Sequence, residues 1–177
     1  LLALGPQLTL TNGANGVDFM FETYGEERVL GGKPLIAFPV KRGDIRIEPH
    51  RDLILKALTE SGVEPDRVVK VANKDRALTE LFEHSVLSTW ADAAQSSFKD
   101  WDDAPWTIQA LATWAPEGFA WKSSNGQTMS MDALVSLSVQ ALRKETEFLH
   151  IAHEQGSIVQ KRKQGIFRFT CGGAHLL

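Results

Sequence analysis

The segment from Ser130 to Gly156 constrains this chain more than any other, because it has the pattern of one long amphipathic helix. Ser130 is a preferred residue at a helix N-terminus, and Gly156 suits the position just after a C-terminus. Between them, apolar residues such as Leu134, Phe148 and Leu149 recur at the spacing of one helical face. The pattern predicts a helix over 131–154. The rest of the chain must supply a surface that covers its apolar face.

Two shorter helices are predicted between residue 73 and the long helix. The first is capped by Asn73 or Asp75 and continues toward Phe98, and the second begins at Asp103 and ends near Trp114. A turn or small hairpin is predicted over 118–128, between the second of these helices and the long one. The second part of the chain is therefore expected to be mainly helical.

The first part of the chain has shorter apolar runs and more turn residues. Val17, Phe19 and Phe21 alternate with Asp18 and Met20, which predicts a half-buried strand. Farther along, 44–72 has the pattern of a strand, a helix and a strand, with the helix over 50–61. If the two strands share a sheet, the connection between them is expected to be right-handed.

These patterns together predict an α+β fold. A small mixed β-rich part with a strand-helix-strand unit covers 1–72, and a mainly helical part covers 73–177. With 43% hydrophobic residues, the 177-residue chain can bury enough surface to form one compact unit. The first residue is Leu1 rather than Met, and the chain ends on an apolar sequence. We therefore also consider that it is a fragment of a longer protein.

Charge and composition exclude several classes of function. The chain has 19 Lys and Arg against 22 Asp and Glu, so it lacks the excess of basic residues that nucleic-acid binding requires. It has no apolar run long enough for a membrane span. The single cysteine, Cys171, excludes an intrachain disulfide. We expect a soluble protein of the cytoplasm, with a cleaved secretion signal as the alternative, whose partner is another protein or a second copy of itself.

All five tryptophans lie between 90 and 121. The indole ring offers a flat apolar face and one N–H donor, which suits it to stacking on a sugar ring or holding a peptide. We expect Trp90 to be core, whereas Trp106 and Trp121 are expected to be accessible among charged and turn residues. The main hypothesis is a non-catalytic binding module with a groove for a glycan, a peptide or a partner chain, lined by Trp101, Trp106, Trp114 and Trp121.

A second candidate site lies near the C-terminus, where histidines and the cysteine occur close together in the sequence. Imidazole and thiolate are ligands of zinc and of iron, so His150, His153, Cys171 and His175 predict a metal centre. The alternative function is therefore a metal-dependent enzyme that uses zinc or iron. The ordinary alternative is scattered histidines and a buried cysteine, and no cofactor is favoured.

A third cluster of ionisable residues lies directly before the helix predicted over 50–61. Glu48, His50, Arg51 and Asp52 have the residue types of a catalytic or metal-binding patch. The ordinary alternative is that acidic residues gather at helix starts because the helix dipole favours them. No phosphate-binding loop and no motif of an activated nucleophile occurs in the sequence.

Overall fold

The computed structural model describes residues 3–92, 97–98, 101 and 103–159. Within these ranges the chain is α+β, with most strands in the N-terminal half and the longest helix near the C-terminal end. The helices are α1 (Gly16–Tyr24), α2 (Leu53–Glu60), α3 (Thr79–Ser88), α4 (Ala104–Trp114) and α5 (Met131–Glu154). The predicted fold class is confirmed.

The described strands pair as antiparallel hairpins, each strand with its neighbour along the chain. The pairs are β1 (Glu26–Leu30) with β2 (Lys33–Ala37), β3 (Lys41–Arg42) with β4 (Ile45–Arg46), β5 (Val68–Val71) with β6 (Lys74–Ala77), β7 (Ala91–Asp92) with β8 (Ser97–Phe98), and β9 (Ala120–Lys122) with β10 (Thr128–Ser130). A sheet of two strands cannot enclose a core by itself, so the helices must cover the apolar sides of these hairpins.

Several helices follow from local signals in the sequence. The Ser130 hydroxyl accepts a hydrogen bond from the Ala133 N–H at 3.1 Å, which caps α5. Gly156 follows the helix with a φ of 62°, a conformation that glycine adopts without strain. The helices predicted over 50–61 and from Asp103 to Trp114 correspond to α2 and α4. The small hairpin predicted before α5 is β9–β10.

The strand predicted at Val17–Phe21 is wrong, because these residues belong to α1. The Asn15 side chain accepts a hydrogen bond from the Val17 N–H at 2.9 Å and so begins the helix. Val17 and Phe21 are buried, whereas Phe19 is 40% exposed. Residues four apart share a helical face, so Val17 and Phe21 fit a helix as well as a strand, whereas Phe19 lies on the opposite side of the helix.

The helix predicted from Asn73 or Asp75 toward Phe98 is wrong at both ends. Ala72 and Asn73 have φ values of 50° and 63° and form the turn of the β5–β6 hairpin. The helix α3 begins only at Thr79 and ends at Ser88. Two consecutive left-handed residues match the right-handed twist of a tight hairpin, and asparagine tolerates that conformation well.

The strand-helix-strand order over 44–72 exists, but its strands do not share a sheet. The strand β4 pairs with β3, whereas β5 pairs with β6. The helix α2 therefore connects two separate hairpins, and the right-handed crossover that a shared sheet would require does not arise.

One cluster of buried apolar side chains draws on both predicted parts of the chain. Phe21 and Leu55 from the first part and Leu111 and Leu134 from the second belong to it. Within it, α2 packs against α4, and α3 packs against β2. The boundary at residue 72 stays a prediction. None of the described helices combines the length and the apolar character needed to cross a membrane.

Candidate functional site

The tryptophans lie in two different environments. Trp114 and Trp121 belong to an aromatic cluster with Phe82 and Phe119, in which neighbouring ring centroids lie 5.5–6.5 Å apart. Trp121 is only 8% exposed. The expectation that its ring is accessible is therefore wrong. Its position in β9 explains the error, because alternate residues of a strand point to opposite faces, and Lys122 is on the exposed one.

Trp90 and Trp101 also depart from a simple division into core and surface. Trp90 is only partly buried, because α3 ends at Ser88 and does not carry it onto a helical face. The expectation that Trp90 is buried in the core is thus wrong. Trp101 is partly buried and packs against the main apolar cluster. Trp101 and the aromatic cluster contribute to packing, whereas Trp106 has described contacts with polar side chains.

Trp106 lies in the first turn of α4 and is partly exposed, as expected. Its ring centroid lies 5.5 Å from that of His50, with the planes tilted by 36°. The ammonium of Lys56, in α2, lies 5.7 Å from the same ring, within the range of a cation–π interaction. The carboxylate of Asp103 lies 3.0 Å from Nδ1 of His50. We call these four residues the Trp106 patch.

The Trp106 patch combines an apolar ring with groups that can donate and accept hydrogen bonds. The side chain of His50 is 51% exposed and that of Asp103 is 27% exposed. The bond from Nδ1 to the carboxylate fixes the orientation of the imidazole. Its second ring nitrogen, Nε2, is then held in a defined direction beside the indole of Trp106.

A polar network lies beneath the patch, between the N-termini of α2 and α4. The Thr107 hydroxyl donates to Oδ2 of Asp52 at 2.6 Å, and Nε of Arg51 lies 3.4 Å from the same oxygen. Nη2 of Arg51 donates to the Thr107 hydroxyl, and Nη1 donates to the carbonyl oxygen of Ser88, each at 3.3 Å. Asp52 is only 5% exposed. These bonds supply the partners that a buried carboxylate requires.

The two aspartates at the helix starts bond across the interface instead of capping their own helices. Asp52 occupies the N-cap position of α2, and Asp103 that of α4, yet neither side chain bonds to the N-terminal amides of its own helix. Asp52 bonds to Thr107 of α4, and Asp103 bonds to His50, just before α2. This reciprocal arrangement fixes the two helix N-termini to each other.

Glu48 takes over the capping of α2. Its Oε1 accepts a hydrogen bond from the Ile54 N–H at 3.1 Å, in the first turn of the helix. Burial and the nearby negative charge of Asp52 raise the pKa of Glu48 to about 8. Because this pKa lies above 7, Glu48 carries a proton at neutral pH. The partial burial of His84, in α3, lowers the pKa of its imidazole.

The predicted metal ligands are brought together only in part. His150 and His153 both lie on α5 and are exposed. Cys171 and His175 lie outside the described residues, so the four-ligand site stays a prediction. An open groove of about 500 Å³ beside α5 includes His150 in its lining, with Arg143, Lys144, Thr146 and Glu147. In the described ranges, no three His, Cys, Asp or Glu side chains are grouped so that they could hold a metal.

Sequence reasoning found part of this site and missed the rest. The run from Glu48 to Asp52 is noticeable in the sequence as a cluster of ionisable residues before a helix. Nothing local connects it to Asp103 or Thr107, which lie more than 50 positions away. The sequence offers one signal for the pairing. Each acidic helix start has another candidate side chain close by in the chain, His50 near Asp52 and Trp106 near Asp103.

The comparisons with known proteins add no assignment. No protein-family model matches the chain. No curated protein and no solved structure matches it either. The geometry of the Trp106 patch and of the polar network beneath it is therefore the basis for a candidate function.

Proposed function

We propose that this protein is a non-catalytic binding module whose recognition surface is the Trp106 patch. The observation that carries the proposal is the His50–Asp103 contact of 3.0 Å beside the partly exposed Trp106 ring. Tryptophan in a binding surface provides a large rigid contact area at a low cost in conformational entropy. An imidazole held by a carboxylate supplies a directed polar contact next to it.

Of the ligands considered, a glycan fits this combination of groups best. A sugar ring presents apolar C–H groups on its face and hydroxyls on its edge, and these match an indole face with polar groups at its border. His50 and Asp103 both retain exposed surface from which a hydroxyl can be bound. The proposed surface differs from the predicted groove of four tryptophans. It has one tryptophan with polar neighbours, because Trp114 and Trp121 pack in the aromatic cluster.

The test is saccharide binding to an immobilised glycan panel, followed by calorimetry on the positive sugars. Trp106→Ala and His50→Ala are each expected to weaken binding at least about tenfold, which corresponds to about 1.4 kcal/mol. His153→Ala removes an exposed histidine far along the chain and is the matched control. No saccharide binding by the native protein, or unchanged binding by a folded Trp106→Ala variant, would refute the proposal.

The metal-dependent enzyme remains the alternative proposal, with zinc or iron held by His150, His153, Cys171 and His175. A protein partner or a second copy of the chain likewise remains a proposal, which sedimentation analysis of the purified protein would test. No described contact favours either of these over the Trp106 patch.

A further inference from the structure

The outer side of α5 carries a row of exposed residues spaced four positions apart. They are Val139, Arg143, Glu147 and Ile151, and we call them the α5 row. At 3.6 residues per turn, the row lies on the side of the helix opposite to Leu134, which belongs to the buried apolar cluster. Val139 is 39% exposed and Ile151 is 47% exposed. Apolar surface at both ends of the row is therefore in contact with solvent.

The middle of the row carries one positive and one negative charge. Arg143 and Glu147 are exposed, and no salt bridge in the part of the chain that the structure describes includes either side chain. An arginine four positions before a glutamate is the less favourable order for an ion pair within one helix, because the positive charge then lies toward the positive end of the helix dipole. Both residues also line the open groove beside α5. Their charges are available to a partner.

The order of residues in the α5 row makes it complementary to itself. If two α5 helices lie antiparallel about a two-fold axis level with Glu145, Arg143 faces the partner's Glu147, and Val139 faces the partner's Ile151. The axis repeats both contacts, so every residue of the row has a suitable partner. In a parallel pair each residue would face its own copy, and like charges would meet.

Glu145 itself does not bring a like charge into this contact. It lies on the inner side of α5, close in direction to Leu134, and is partly buried. Rows of residues four apart on two helices pack beside each other at a crossing angle of about −50°, which is the commonest packing class for helices. The geometry of the row therefore agrees with an ordinary contact between helices.

We propose that two copies of this chain associate through the α5 row, with their α5 helices antiparallel. Two ion pairs lie at the centre of the contact, and an apolar contact on each side of them excludes water. The row spans about 18 Å of helix, which is small beside a standard interface of roughly 800 Å² per partner. The dimer is therefore expected to be weak, and at low concentration the chain is a single copy. None of the four residues belongs to the Trp106 patch, so the inference is independent of the proposed function.

The first test measures the mass of the native protein by analytical ultracentrifugation as its concentration is raised. The mass is expected to rise from one chain toward two. Arg143→Glu makes the centre of the row entirely acidic, and Glu147→Arg makes it entirely basic. Each variant alone is expected to associate at least about tenfold more weakly, because like charges then face each other. The control Lys144→Glu makes the same change of charge at an exposed neighbour outside the row and should associate like the native protein.

An equimolar mixture of Arg143→Glu and Glu147→Arg tests the antiparallel arrangement directly. The acidic row of one variant then faces the basic row of the other, which restores both ion pairs. Association of the mixture is expected to return to within about threefold of the native affinity. Circular dichroism confirms that each variant is helical before mixing. A native protein that stays monomeric up to about 1 mM, single variants that associate like the native protein, or a mixture that does not associate would each overturn the proposal.

The apolar ends of the row are tested with two exposed valines. Val139→Ser removes an apolar contact of the proposed dimer and is expected to weaken association by about threefold to tenfold. The matched control is Val68→Ser, in β5, where the valine is 60% exposed and lies outside the row. Its association should equal that of the native protein. An equal effect of the two substitutions would show that the α5 row is not the surface of contact.

Discussion

At the scale of single residues, Asp52 is constrained in its backbone conformation, its burial and its side-chain contacts. Its backbone is left-handed, with a φ of 64°, the residue is 5% exposed, and its carboxylate accepts a hydrogen bond from Thr107 and forms an ion pair with Arg51. A left-handed backbone is uncommon for residues other than glycine, although aspartate tolerates it better than most. The hydrogen bond and the ion pair offset this cost. The side chain that would ordinarily cap α2 is consequently unavailable, which is why Glu48 caps it.

The pKa of Glu48 makes the stability of the protein depend on pH. The pKa is about 8 in the folded protein, above its ordinary value of 4.5. The unfolded chain therefore loses this proton first, and the stability that the proton contributes is lost between about pH 4.5 and pH 8. Glu48→Gln should match the native protein near pH 4.5 and exceed its unfolding free energy at pH 9 by roughly 2–4 kcal/mol.

Urea denaturation at pH 4.5, 7 and 9 measures this difference, with Glu147→Gln as the exposed control. Only the change in the difference between the native protein and the variant is attributable to Glu48, because other groups titrate in both. A constant difference across the three pH values would show that Glu48 is not held in its uncharged form.

The partners of these residues could not be predicted from the sequence. Glu48 and Asp52 are recognisable as acids at a helix start, and that much is local. Their roles depend on Thr107 and Asp103, which approach only because α2 packs against α4. Propensity and spacing carry no information on that packing, so the sequence indicated the cluster and not its chemistry.

At the scale of elements, the structure follows the sequence where a strong local signal marks both ends. The helix α5 has Ser130 before it and Gly156 after it, and its bounds were predicted correctly. The errors at α1 and at the start of α3 arose where one pattern fits two structures. Val17 and Phe21 satisfy both periods, and the hairpin turn at Ala72 and Asn73 resembled a helix cap.

Two neighbouring residues of α5 test which face of the helix is covered. Leu134 is fully buried, whereas Val135 is 43% exposed. Leu134→Ala is expected to lower the unfolding free energy by about 2–5 kcal/mol, because it removes transfer energy and leaves a cavity. Val135→Ala should change it by no more than about 1 kcal/mol. Equal losses in urea denaturation would mean that α5 presents a different face to the core.

At the scale of the whole molecule, helices from both predicted parts supply one apolar cluster. Leu55 of α2 and Leu111 of α4 are both fully buried in it. The predicted α+β class followed from the order of elements along the chain, and composition predicted one compact unit, but neither indicated which residues of the two parts share the core. Two stretches with different composition need not form separate units when each has an apolar face that the other covers.

The exposed position of the α5 histidines argues against a bound metal. We expect the purified protein to contain no stoichiometric zinc or iron, because His150 and His153 are exposed on α5 and two glycines separate Cys171 from His175. Elemental analysis of the native protein and of His153→Ala tests this expectation. About one metal per chain, lost in the variant, would make the metal-dependent enzyme the favoured proposal.

Each described strand pairs with the other strand of its own hairpin. This pairing determines where the sequence can accept insertions during evolution. In a larger sheet, lengthening one loop disturbs the strands on both sides. Here the turns at Gly31-Gly32, Gly43, Ala72-Asn73 and Gly126 belong to one hairpin each. Insertions at exposed turns are tolerated when few contacts depend on them. Each hairpin tip can therefore acquire new segments independently, while the helices keep the core unchanged.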